Sequence, residues 1–459
     1  RGGQRLLINE LYYGCPCSSC SEITNSTPAE AIFSPEVLEG YLRKIYDGFD
    51  VSDEIEPTAF REVLRIINTG AVQGLTEGNF IPTHHESFLS ALRHSNEVFS
   101  AFKTHAMGTK MAERLFGEDG KLRSFEEWRK AVDPIARHHV GAWLRTEYDT
   151  AIIRAHHAAD WFEFEANKDI LPNLQWLPTT SPSPEAGHEV FWRLPILLPI
   201  DDSFWSDHRP GDRWNCKCSL EATDEPAQPL SDEDSREADN PNRRAQPGLE
   251  GNPIEKGLIT DKHPYYPESC SACPFYKPQG IKGWVRKRLV GRTKDCHNCP
   301  YISKAITRAQ LTERYPIDKW EHSYVHASGG YVVTEQERIA EGKINKQEQE
   351  VYRKEQAIAK DLARMGHHIE HLAENNRPVG ERYDTLFDGV KADFKSTRSH
   401  NNIAKYGKKA FREQGADMVV YRLEQHTEGM LKELKNLKEL FPDKRIVYYY
   451  DDEQVLREL

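Results

Sequence analysis

Two aspartates and a lysine carry the most definite chemistry in this chain. Asp384, Asp393 and Lys395 lie within Tyr383-Asp-Thr-Leu-Phe-Asp-Gly-Val-Lys-Ala-Asp-Phe-Lys395. Two carboxylates and an amine gathered in one place can hold a divalent metal and position a water for attack on a phosphodiester. The stretch predicts two short strands joined at Asp388-Gly389, a dipeptide that supplies the positive φ angles of a tight hairpin turn. Asp384 is expected on the first strand. Asp393 and Lys395 stand two apart on the second, so they share a face. Asp388 belongs to the turn. Lys395, Arg398, Lys405, Lys408, Lys409 and Arg412 follow one another with no acid among them. Such a run beside carboxylates suits a substrate with a phosphate backbone.

These groups need a frame to hold them. Glu350 to Met365 reads as a helix carrying Glu355, closed by Gly366 as a C-cap. His368 to Leu372 reads as a strand, and the hairpin follows it. A helix over Asn402–Glu413 brings Gln414 to its end. A strand over Ala416–Leu423, a helix over Thr427–Phe441 and a strand over Arg445–Tyr450 complete an α/β sheet covered by helices. The charged run Gln336–Met365 leads into this domain.

Upstream, Pro35 to about Ala166 is mainly helical. Phe60–Ile67 has apolar residues at helical spacing, Ser124-Phe-Glu-Glu127 is a capping box, and Val140–Phe164 reads as one long helix. Arg145 and Glu147 on it read as a surface pair. Leu171–Leu220 changes to short strands, prolines and tryptophans. The next forty or so residues are rich in Pro, Asp, Glu, Ser and Asn, a composition that reads as a disordered linker. The chain of 459 residues carries a net charge of −11, which argues against a uniform coat of nucleic acid. No apolar run is long enough to span a bilayer.

The 9 cysteines suit metal ligation in a reducing compartment better than a disulfide framework. Cys270-Ser-Ala-Cys273 and Cys296-His-Asn-Cys299 have zinc-ribbon spacing, and four thiolates close a structural Zn²⁺ site. The basic residues around them would suit nucleic acid, although stapling of a small coreless module explains the cysteines equally well. Cys216 and Cys218 are too few for a tetrahedral site. They read as small buried residues under Trp214, or as sharing a metal with His188 or with Cys15, Cys17 and Cys20 of the leader.

Two family resemblances follow from these residues. Arg145-Thr-Glu147, Asn173-Leu-Gln-Trp176, His188, Pro199-Ile-Asp-Asp-Ser-Phe-Trp205 and Trp214-Asn-Cys-Lys-Cys218 resemble the phage minor head proteins named for gene F of phage Mu. That resemblance covers residues 120–222. It implies a virion protein of the phage head, near the portal and with capsid proteins as partners, that reaches the bacterial cytoplasm. The family has been likened to ADP-ribosyltransferases, but the arginine expected before His188 is missing in Pro184-Glu-Ala-Gly-His188.

The C-terminal pattern resembles the PD-(D/E)XK nucleases, and among them the toxin domains of contact-dependent inhibition proteins, many of which cleave tRNA. The resemblance implies Mg²⁺ on Asp384 and Asp393, a further carboxylate from Glu355, and Lys395 orienting water or steadying the phosphate. It also implies that Gln414 completes the site, that Lys405, Lys408, Lys409 and Arg412 hold the substrate backbone, and that an immunity protein exists.

The expected architecture is therefore multidomain α+β. A helical region with a Cys-rich leader (1–119) leads into a small α+β phage-head domain (120–222). A disordered linker (223–262), a four-cysteine zinc module (263–335) and a restriction-endonuclease-like nuclease domain (336–459) follow. The alternatives are a structural head protein with an inactive tail, a DNA nuclease, or a metal-independent ribonuclease using His368, His371 or His400.

Overall fold

A computed structural model describes residues 8, 11–12, 28–52, 54–179, 186–194, 196–278, 292–374, 377–378, 380–453 and 455–459. Cys15, Cys17 and Cys20 lie outside the described residues. The chain is mixed helix and sheet, with a helical N-terminal region and a C-terminal mixed sheet. It forms two compact units, Arg1–Cys299 and Pro300–Leu459.

The first unit is built on helices α1 (Pro35–Tyr46), α2 (Pro57–Glu77), α3 (Glu86–Ala112), α4 (Phe125–Arg137) and α5 (Trp143–Asn167). The expected capping box opens α4, with Ser124 and Glu127 each accepting from the other's backbone N–H. A π-helical turn, His138–Ala142, joins α4 to α5. Helices α2 and α5 pack closely because α2 shows α5 a row of glycines. A Cβ on Gly74 would stand 2.0 Å from the carbonyl oxygen of Ile152, so any side chain there would force the helices apart. Strands β1 (Asn173–Leu177), β2 (Leu197–Pro199) and β3 (Ser219–Thr223) form an antiparallel sheet in the order β2-β1-β3. Trp176, Phe191, Trp205, Cys216 and Cys218 fill one core beside it.

The expected disordered linker is not what the structure shows. A helix spans Asp232–Ala238, and Leu249, Leu258 and Ile259 are buried. The Arg154 guanidinium, itself buried in α5, donates to the carbonyls of Gly211, Leu249, Gly251 and Gly257 at 2.8–3.5 Å. Polar composition hid an ordering device that uses backbone acceptors, which any residue can supply.

The second unit begins with α6 (Pro300–Arg314) and the hairpin β4 (Trp320–Val325)–β5 (Tyr331–Glu335). Then come α7 (Gln336–Glu341), α8 (Lys346–Arg364), β6 (His368–His371), β7 (Thr385–Phe387) and β8 (Val390–Thr397). Helix α9 (Asn401–Arg412), β9 (Met418–Leu423), α10 (Glu428–Leu440), β10 (Arg445–Tyr450) and β11 (Arg457–Glu458) close it. The sheet order is β11-β10-β9-β8-β7-β6-β5-β4. Strands β6, β7 and β8 form an antiparallel meander, whereas β8, β9 and β10 run parallel through crossovers α9 and α10.

Alternation of side chains divides the sheet's two cores. Ala392, Phe394, Met418 and Val420 pack with Ile358 and Leu362 of α8, while Val419, Tyr421 and Ile446 pack with Ile403 of α9 and Leu434 of α10. The boundary expected at residue 335 moves upstream. Strands β4 and β5 continue the C-terminal sheet, and β5 pairs in parallel with β6. The charged run Gln336–Met365 holds two helices, α7 and α8, with Asn345 capping the second through the N–H groups of Gln347 and Glu348.

Candidate functional site

The site is set by where β7 ends. Asp388 and Gly389 adopt φ of 48° and 83°, and Phe387 faces Val390 across the turn, so the hairpin is the one expected. Strand β7 pairs with β8 only from Thr385↔Ala392 to Phe387↔Val390. Asp384 therefore stands just before the strand rather than on it. Its Oδ2 accepts the N–H of Phe394 at 3.1 Å, a donor that β7 no longer reaches. In this notch Lys395 Nζ lies 2.8 Å from Asp393 Oδ1 and 3.6 Å from Asp384 Oδ2. Asp384 and Asp393 are buried, and Asp393 Oδ2 meets no donor among the described residues.

Helix α8 brings Glu355 in from the other side. Its Oε2 lies 2.5 Å from Arg338 Nη2 of α7, and both residues are buried. Glu374, in the loop after β6, joins them. Its N–H donates to Glu341 at 3.1 Å, and its Oε1 lies 3.7 Å from Arg338. One carboxylate oxygen each from Glu355, Glu374 and Asp384 fall within 4.8 Å of one another, a group that could hold a metal ion.

The crowding shows in the protonation of these groups. Burial and the neighbouring Asp384 push Glu355 up to about 8, although Arg338 draws it down. Burial and Asp384 also raise Glu374. Burial and Asp384 raise Asp393 well above the usual range. Asp384 goes the other way: burial opposes it, but Lys395, Asp393 and the Phe394 N–H together hold it low and ionised. Lys395 is raised because its two aspartates outweigh burial, so it stays a cation. A carboxylate cluster that retains protons at neutral pH is short of positive charge. Hard oxygen donors at this spacing fit Mg²⁺ chemically.

Glu374 and Arg338 were not among the expected residues. No motif marks them, since one follows a strand end and the other sits in a charged run. Gln414 is not among the carboxylates. Its Nε2 donates to the carbonyl of Arg382 at 3.3 Å, which ties the end of α9 to the loop carrying Asp384. Lys405, Lys408, Lys409 and Arg412 are exposed on α9. The three histidines are not assembled for acid–base work. His371 is fully buried and held at about 4 by burial and Arg338, His368 stacks on Tyr331 at 4.4 Å, and exposed His400 lies against Gly429.

In the first unit, Glu147 is not on the surface. It is fully buried, 2.9 Å from Lys103 Nζ, and its Oε1 accepts from Tyr12 and Tyr265 at 2.8 and 3.0 Å. Residues two apart on a helix point to nearly opposite faces, and Arg145 indeed turns outward to Asp149 at 2.8 Å.

His188, Cys216 and Cys218 form a second group of donors within 4.8 Å, all buried. The expected set of four cysteines is looser. Among the described residues no three of the four sulphurs come within 4.8 Å of one another. Among the described residues no helix is long and apolar enough to cross a membrane. No family model matches the chain, and no curated protein or solved structure matches it either.

Proposed function

We propose that the second unit hydrolyses phosphodiester bonds of a nucleic acid, with RNA such as tRNA the first candidate. The observation that carries this reading is the notch beside β7. There Asp384, Asp393 and Lys395 meet, with Glu355 and Glu374 beside Asp384. Glu355, Glu374 and Asp384 would hold a divalent cation, which when bound supplies Lewis-acid stabilisation of phosphoryl oxygens.

The chain's own groups do the rest. Lys395, held protonated between its aspartates, faces the charge that builds on the phosphorane oxygens. Asp393, a strong proton acceptor once ionised, takes the proton of the attacking water. The water oxygen bonds to phosphorus, the bond to the leaving oxygen breaks, and solvent protonates that oxygen. The exposed lysines of α9 supply phosphate contacts that do not depend on sequence.

The first unit we read as a component of a phage head. Supporting this, residues quoted for that resemblance, namely Trp176, Trp205, Cys216 and Cys218, share a single core. The combined reading is a head protein that carries a nuclease into the host.

The test is cleavage of total tRNA and of plasmid DNA by the full chain, with Mg²⁺ and with EDTA. Cleavage abolished by EDTA is expected, and the substrate cut names the class. Cleavage that survives EDTA would overturn the carboxylate mechanism. No cleavage of either would return the second unit to a structural role.

A further inference from the structure

We propose that His188, Cys216 and Cys218 form a zinc site in the first unit, through His188 Nδ1 and the two sulphurs. The inference is independent of the nuclease reading. His188 Nδ1 lies 3.1 Å from Cys216 Sγ, and the three ligand atoms fall within 4.8 Å of one another. On the other side of the ring, Nε2 lies 2.7 Å from Asp212 Oδ1, whose second oxygen accepts the Arg209 N–H at 3.1 Å. A carboxylate on Nε2 fixes the tautomer that turns the Nδ1 lone pair toward the sulphurs, as it does for metal-bound imidazoles.

The sulphurs are themselves treated as acceptors. Cys216 Sγ takes the N–H groups of Gly211 and Cys218, each at 3.4 Å, and Cys218 Sγ takes the indole N–H of Trp192 at 3.2 Å. Three donors aimed at two sulphurs is the environment of thiolates. Two thiolates in a tryptophan-lined core need a cation between them. The backbone is shaped for this, because Asn215 takes φ of 64° just before Cys216 and bends the chain into a knuckle. Asn215 Nδ2 secures that bend by donating to the carbonyl of Tyr12 at 2.6 Å.

Cys216, His188 and Asp212 also line up as a nucleophile, base and orienting acid would. All three are buried, however, which does not suit a nucleophile that must meet a substrate. Imidazole with thiolates is the donor set of zinc. The three side chains would supply three of the four positions of a tetrahedral zinc, and the ion would staple the start of β3 to the segment that carries His188.

The experiment maps alkylation of the native full chain by iodoacetamide, peptide by peptide, before and after 1,10-phenanthroline. The expected result is that the peptide holding Cys216 and Cys218 is protected at first, and that its labelling rises as zinc is released. A Cys216–Cys218 disulfide, or labelling indifferent to the chelator, would overturn the proposal. Reading one peptide separates this site from Cys270, Cys273, Cys296 and Cys299. A second measurement loads Co²⁺ into Asp212→Asn, which keeps all three ligands. Thiolate-to-cobalt absorption should still form, with affinity weaker by about tenfold or more. Unchanged affinity would remove Asp212 from the site, and absence of the band in the parent protein would remove the site itself.

Discussion

Lys103, fully buried, and Lys395, partly buried, both lie against carboxylates, at 2.9 and 2.8 Å, yet the two surroundings differ in charge. Lys103 meets one carboxylate, Glu147, and the hydroxyls of Tyr12 and Tyr265 complete that group. One cation balances one anion, and Tyr265 touches both of them. Lys395 and Arg338 instead face Asp384, Asp393, Glu355 and Glu374. The second cluster is short of positive charge and leaves Asp393 Oδ2 without a donor. A folded chain accepts such a deficit where something else supplies the charge. The balanced pair is closed on itself, and the unbalanced one holds a group of carboxylates that could bind a metal ion.

Asp393→Ala sharpens the contrast most. It is expected to reduce cleavage by on the order of 10²–10³ or more while leaving the circular dichroism and melting of the protein near parental. Lys103→Ala should do the reverse. Stranding Glu147 in the core costs roughly 3–5 kcal/mol, read as earlier melting of the first unit, with cleavage by the surviving second unit retained. A Lys103→Ala protein that melts like the parent would break the comparison.

The pH response gives a smaller effect of defined sign. Glu355, up at about 8 in the folded protein against 4.5 for the free group, keeps a proton that the unfolded chain has released. Its contribution to stability therefore falls as pH rises from about 4.5 to 8. In EDTA, Glu355→Gln should flatten that slope, and Mg²⁺ should restore stability to the parent at pH 8 but much less to the variant. Smallest of all, Lys409→Ala should weaken nucleic-acid binding a few-fold and lower the salt-dependence slope by roughly 0.7–0.9, with kcat unchanged.

The chemistry-bearing hairpin was legible because its signals are local. Asp388-Gly389 fixes the turn, the two-residue period places Asp393 and Lys395 together, and the amphipathic run around Glu355 fixes α8. What escaped depends on pairing distant in sequence. Glu374 is held at the cluster by the Glu341 carboxylate that accepts its N–H and by Arg338. Strands β4 and β5 join the sheet through β6, far from their own neighbours in sequence. Glu147 was misplaced for the same reason: its partners Lys103, Tyr12 and Tyr265 come from three separate stretches of chain. The paired Cys-x-x-Cys spacing was conspicuous, yet the tighter group of soft donors proved to be His188, Cys216 and Cys218.

The carbonyls gathered by Arg154 bear on how such a protein could be recombined. A crossover after residue 222, where composition suggests a seam, would exchange Leu249, Leu258, Ile259 and Tyr265 along with the second unit. It would also strip Arg154 of acceptors and Glu147 of a hydroxyl. A graft at Cys299/Pro300 keeps each core whole. Exchange of the second unit, whether by natural shuffling or by cloning, should therefore succeed at that later junction and fail at the earlier one.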